Sequence, residues 1–131
     1  RTMKPIQAKG IPSANGHYSQ AIAHGNLLFI SGQLPIDPDT GDIPEGIVTQ
    51  TRATLDKLDV ILRAAGAKRS DLIQVRIYIS NIEDWDAVDR VYREFMGLHK
   101  PVRAIVPVGK LHFGCQIEIE AQAALSAEPR D

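Results

Sequence analysis

Hydrophobic and polar positions alternate most regularly near the C-terminal end of the chain. Over 115–123, Cys115, Ile117, Ile119, Ala121 and Ala123 fall on one side of an extended strand, and Gln116, Glu118, Glu120 and Gln122 on the other, because strand side chains alternate with period two. Just upstream, Arg103 and Ile105 share a face opposite Val102, Ala104 and Val106. Two extended segments joined by a short connection let one cation and two carboxylates face a common space if the strands lie close. Such a face is either the ordinary charged outside of a half-buried sheet or a reaction site. In the second case a guanidinium holds a carboxylate near a group that can move a proton.

The clearest helix spans 47–65, where Val48, Thr51, Leu55, Leu58, Leu62 and Ala65 recur at spacings of three and four and make one apolar stripe. Gly66 is its natural stop. Alternation returns over 72–80, with Ile73, Val75, Ile77 and Ile79 on one face of a strand. Asp84 is placed to cap a second helix with a buried stripe of Trp85, Val88, Tyr92 and Phe95, ended by Gly97. Upstream, 4–8 reads as a short opening strand and 10–16 as loop. Residues 18–23 and 27–31 read as a hairpin turning near Gly25-Asn26. Residues 32–46 are an irregular excursion with a turn at Pro38-Asp39-Thr40-Gly41. This order predicts an α+β fold, with two helices on one face of a mixed sheet of four to six strands. The other face carries Gln74, Arg76, Tyr78, Gln116, Glu118, Glu120 and Gln122. It is too polar for a core, so it meets solvent or copies of itself.

Composition narrows the class. At 131 residues the chain suits one domain, 1–131, with one core. Its 44% hydrophobic and 24% charged content is that of a soluble globular protein. A formal net charge of -1 argues against a nucleic-acid binder, which usually shows a basic stripe. No apolar run approaches the roughly 18 residues of a membrane span, so no membrane partner is expected. Residues 1–10 show no apolar signal region. Residues 1–3 are expected to be a disordered or added start, with Met3 the natural first residue. The single cysteine, Cys115, can form no internal disulfide, which suits a reducing compartment. Cytoplasmic localisation is expected, with an organelle lumen reached through a removed presequence as the alternative. The cysteine sits on the apolar face and reads as buried and inert. His17, His24, His99 and His112 show no ligand spacing, so no metal is expected.

A set of motifs then resembles a known family. It comprises Pro101-Val102-Arg103-Ala104, Val106, Gly109, Leu111 and Ile117-Glu118-Ile119, with Gly16-His17-Tyr18-Ser19-Gln20 and Ile30-Ser31-Gly32-Gln33 upstream. Ala64-Ala65-Gly66 and the Asp84-Trp85, Val88, Tyr92 region complete it. Together, over 4–125, the chain resembles the Rid (YjgF-type) reactive intermediate deaminases. The resemblance implies a chorismate-mutase-like fold assembled as a homotrimer, with an inner barrel of sheets, helices outside and sites between subunits. It implies cofactor-free hydrolysis of enamines and imines, such as 2-aminoacrylate and 2-iminopropanoate, to 2-keto acids and ammonia. It assigns Arg103 to clamping the substrate carboxylate and Glu118, rather than Glu120, to positioning the attacking water. Tyr18, Ser31 and Gly32 match site-lining residues. Three positions depart from the family's bacterial enamine deaminases: His17 stands for a proline, Ile105 for a cysteine and Asp89 for a pocket asparagine. A backbone N–H at Ile105 survives loss of the thiol.

The chemistry suits these residue types. An imine carbon is already electrophilic, so the protein needs to hold the substrate and aim a water. A planar guanidinium binds a carboxylate through two parallel hydrogen bonds, and a positioned carboxylate such as Glu118 shuttles the proton. Asp89 precedes Arg93 by four residues. It is therefore either half of a surface ion pair or a negative charge at a site built for anions, which would favour polar or cationic side chains over the smallest imino acids. Two other functions remain open here. One is the endoribonuclease or translation-inhibitor activity also ascribed to the family, against which the charge and the 5% aromatic content weigh. The other is a non-enzymatic trimer that binds a 2-keto acid and regulates a partner, for which Glu118 is not required.

Overall fold

The computed structural model describes residues 3–12 and 16–126. The expected start at residues 1 and 2, and residues 13–15 of the expected 10–16 loop, lie outside the described residues. Among the described residues, six strands form one sheet: β1 (Lys4–Ile6), β2 (Ala21–His24), β3 (Leu27–Gln33), β4 (Leu72–Ile79), β5 (Val102–Pro107) and β6 (Ile117–Ala124). Two helices, α1 (Ile47–Ala64) and α2 (Trp85–Met96), connect β3 to β4 and β4 to β5. The sheet order is β1-β2-β3-β6-β4-β5. This is the expected α+β arrangement.

The order decides the condition left open for β5 and β6. β5 and β6 are not neighbours; β4 lies between them, parallel to β5 and antiparallel to β6. A parallel pair needs a long crossover, and α2 supplies it. The pairing therefore follows the helix and not the short connection between β5 and β6. The consequence is large. Arg103 pairs with Val75 and Ile105 with Ile77, whose side chains are fully buried in the core under the helices. Glu118 pairs with Tyr78 on the polar face. Within one chain, Arg103 and Glu118 thus point to opposite sides of the sheet and share no common space.

The core lies between the sheet and the helices. Val75, Ile77, Ile79, Ile117 and Ile119 meet Leu58, Ile61, Leu62 and Val88 there, all fully buried. Each such side chain contributes roughly 1.5–3 kcal/mol by leaving water. The alternation over β6 is complete: Cys115, Ile117, Ile119, Ala121 and Ala123 are buried, and the residues between are half-exposed. In β4 it breaks once. Leu72 pairs with Ala123 and Gln74 with Gln122, so β4 carries an extra residue there. This bulge turns Ile73 outward, 42% exposed, and puts Leu72 in its place inside.

In α1, Thr51, Leu55, Leu58 and Leu62 are buried as the stripe predicts, with Gln50, Thr54 and Ile61 beside them. Val48 and Ala65 are only partly buried. Gln50 is polar yet buried because it is satisfied: its amide donates to the Pro44 carbonyl at 2.9 Å and accepts from the Gln116 N–H at 2.8 Å. In α2, Val91 and Met96 join Val88 and Tyr92 inside, and Trp85 and Phe95 are only partly covered. Asp84 makes no capping hydrogen bond. The cap falls one turn earlier, where Asn81 accepts from the Glu83 N–H at 3.0 Å and starts a short 3₁₀ turn, Ile82–Asp84, that leads into the helix. The hairpin turns at Gly25-Asn26 as expected, with His24 opposite Leu27. β2 begins at Ala21, which leaves Tyr18 in the preceding bend.

Candidate functional site

The residues that the sequence points to form two separate clusters. The first lies on the polar face. Register slips between Ile30 and Gln33 where β3 meets β6, and Ser31 and Gly32 occupy that slip. Gly32 stands directly against Glu118: a Cβ built on it would collide with the Glu118 carboxylate at Oε2 and come within 3.0 Å of its Cδ. Gly32 also lines a cleft of about 520 Å³ with Tyr18, Gln33, Lys57, His112 and Phe113. Tyr18 is 57% exposed there. Ser31 is nearby but faces a different, smaller hollow with Arg76 and Glu120. Its hydroxyl donates to the Ser19 carbonyl at 2.5 Å, so in one chain it ties the Tyr18 bend to β3.

The two glutamates of β6 differ in their partners. Glu120 accepts a short hydrogen bond from the Tyr78 hydroxyl, which raises the Tyr78 pKa above its ordinary value. Among the described residues, none donates a hydrogen bond to Glu118. Its pKa is raised, first by burial and then by the charge of Glu120, with His112 opposing the rise. A partly buried carboxylate without a donor is costly to keep ionised, and such groups concentrate where protons move. Cys115 is buried and its thiol is pushed up by burial first, which makes it a poor nucleophile.

Gly32→Ala tests how closely Glu118 is held. The alanine methyl displaces only a flexible carboxylate, so the fold is expected to keep nearly its wild-type melting temperature. Differential scanning fluorimetry checks this.

The second cluster lies at the β5 edge, on the helix side. The Arg103 Nη1 donates to Asp89 Oδ1 at 2.8 Å, and the other Asp89 oxygen is 3.4 Å from Arg93 Nε. Asp89 pairs with its helix neighbour, as the i,i+4 spacing suggests, and also with Arg103. The guanidinium lies 5.0 Å from the Tyr92 ring centroid and 5.6 Å from that of Trp85, within cation–π range. The Tyr92 hydroxyl is buried with no hydrogen-bond partner among the described residues. Burial, its main cause, pushes the pKa up to about 12, against the opposing Arg103 charge. Ile105 is partly buried against the core two residues along.

Spacing did not reveal His112, Phe113 or the aromatic bed under Arg103. Trp85 and Tyr92 read as core stripe because helical periodicity does not distinguish a ring in the core from one that floors a cation. Phe113 has φ 59° and stacks on His112 with ring centroids 3.7 Å apart. A bulky residue in the left-handed region is strained, and no residue type in that stretch announced it. Among the described residues, no group of three His, Cys, Asp or Glu side chains is placed to hold a metal. Among them, too, no helix is long and apolar enough to cross a membrane.

The overall fold matches solved structures of Rid-type α+β proteins. The chain belongs to their Rid/YjgF family: the family model described as Endoribonuclease L-PSP matches residues 9–125. A RutC family protein of Pyrococcus horikoshii is 45% identical over 90% of this chain and 94% of its own length. The 2-iminobutanoate/2-iminopropanoate deaminase of Escherichia coli K12 is 35% identical over 92% of this chain and 96% of its own. The crystal structure of Escherichia coli TdcF with bound serine matches with a TM-score of 0.89 at 35% identity, covering 94% of this chain and 99% of that one.

Proposed function

We propose that the protein is a cofactor-free hydrolytic deaminase of small 2-imino acids, converting 2-aminoacrylate and 2-iminopropanoate to 2-keto acids and ammonia. The observation that carries this reading is Glu118, a partly buried carboxylate with a raised pKa and no donor among the described residues, set against a glycine that lines an open cleft. Arg103 takes the substrate carboxylate, with the backbone near Ile105 beside it. Glu118 accepts a proton from water as the oxygen adds to the protonated imine carbon, and returns it to nitrogen. It then takes the remaining hydroxyl proton as C=O forms, the C–N bond breaks and ammonia leaves. Tyr18, Ser31 and Gly32 shape the Glu118 side of the site. The deaminase named among the relatives at 35% identity supports the same chemistry. The direct test generates 2-iminopropanoate in situ and follows its disappearance; a rate equal to that in buffer alone would overturn the reading.

Because Arg103 and Glu118 face opposite sides of one sheet, this reaction needs two copies, one supplying each residue. The surface supports that arrangement. β5 is an edge strand, and its Val102 and Val106 side chains are 62% and 38% exposed. An apolar, unpaired edge is normally covered. We take the assembly to be a homotrimer, the number coming from the family resemblance. Sedimentation velocity at micromolar concentration is expected to give one species of three chains; a monomer would remove both the assembly and the shared site. The RNA-cleaving alternative is not favoured: a net charge of -1 offers no basic track for a phosphate backbone.

A further inference from the structure

The Arg103–Asp89 pair places opposite charges side by side in a partly covered position. The two side chains are only 24% and 21% exposed. One Arg103 donor is committed to Asp89, which leaves the rest of a five-donor fork for a ligand. Asp89 in turn offers its second oxygen, at present 3.4 Å from Arg93. The Arg93 side chain is 72% exposed, so its end of the pair meets solvent and is the readily exchanged one. A cation on a ligand can therefore take the place of Arg93 without breaking the Arg103–Asp89 contact.

We propose that this pair is a receptor for a zwitterion, with Arg103 binding the carboxylate of a 2-iminium or 2-ammonium acid and Asp89 binding its positively charged nitrogen. Carboxylate and nitrogen sit on adjacent carbons in such a molecule, matching two adjoining charges of opposite sign. Asp89 then selects the protonated imine, the more electrophilic form, over a bare anion. The same charge works against the product. When C=O replaces C=NH₂⁺ and nitrogen departs as ammonium, the keto acid has no cation left for Asp89 and keeps only the Arg103 contact. Discrimination thus favours entry of the imine and release of the keto acid. The inference rests on the reading of Arg103 as the ligand anchor.

The test is isothermal titration of the full chain with L-alanine, a zwitterion, and pyruvate, the corresponding monoanion. Wild type is expected to bind L-alanine more tightly than pyruvate. Asp89→Asn keeps an oxygen for the Arg103 N–H but removes the charge. It is expected to weaken L-alanine by about tenfold or more and to tighten pyruvate, reversing the order. Weakened L-alanine binding is what a merely structural Asp89 would not produce; tighter pyruvate follows either way from loss of the charge beside Arg103. Arg103→Ala is expected to lose both ligands. An unchanged alanine-to-pyruvate ratio in Asp89→Asn, with binding still dependent on Arg103, overturns the zwitterion receptor alone. Binding that survives Arg103→Ala, or no binding of either ligand to wild type, overturns the anchor and the receptor together.

Discussion

Glu118→Gln is expected to cut turnover of 2-iminopropanoate by about 10²–10⁴-fold, the usual worth of a positioned acid–base group, while leaving pyruvate binding nearly unchanged. Glutamine fills the same space against Gly32 but cannot take a proton from water. The comparison residue is Glu120. It already accepts a hydrogen bond from Tyr78, so Glu120→Gln should disturb turnover much less. The pH profile supplies a second readout. A general base must be ionised, and burial together with the neighbouring Glu120 charge raises the Glu118 pKa. The wild-type kcat/KM should therefore rise with pH along a limb displaced above the ordinary glutamate range. That limb should vanish in Glu118→Gln. A glutamine variant with the wild-type rate would mean that water is activated elsewhere, and the non-enzymatic binding reading would gain.

Arg103→Ala is expected to abolish measurable deamination with the fold intact, because the side chain sits at a sheet edge and not within the core. Arg103→Lys should be nearly as damaging: lysine keeps the charge but loses the two-pronged fork and its stacking over Trp85 and Tyr92. The two inactive variants also report on each other. If each site draws Arg103 from one copy and Glu118 from the next, chains of Arg103→Ala and Glu118→Gln co-expressed at equal levels will form some intact sites. Random assembly makes roughly one site in four intact. The mixture should therefore recover roughly a quarter of the wild-type rate, although neither variant alone is active. Activity no higher than that of the parents would contradict a site shared between copies.

The alternation over β6 and the spacing over α1 are directly legible because burial on one face imposes a period on the chain. Val75, Ile77 and Ile79 follow the same logic. Ile73 does not, because a bulge against β6 adds one residue to β4 and reverses its facing, and a one-residue slip leaves no mark in composition. Asp84 looks like a cap because aspartate before an apolar stripe usually is one. The helix is instead entered through a 3₁₀ turn that Asn81 caps, and both side chains have the chemistry to do it.

By itself, the sequence determined which residues carry charge, which faces are apolar, and that two helices must cover one side of a mixed sheet. Those properties are local and periodic, and they follow from burial and from side-chain chemistry. Which strands are neighbours was decided only by the tertiary structure. β4 separates Arg103 from Glu118 because α2 carries the chain into a parallel pairing. That single placement turns a seemingly common site into two half-sites on opposite faces. Strand order depends on crossover geometry and on contacts distant in sequence, and neither leaves a periodic trace. The same holds for Asp89, whose two ion pairs join a helix to an edge strand. Its i,i+4 partner could be read from spacing; its partner fourteen residues on could not.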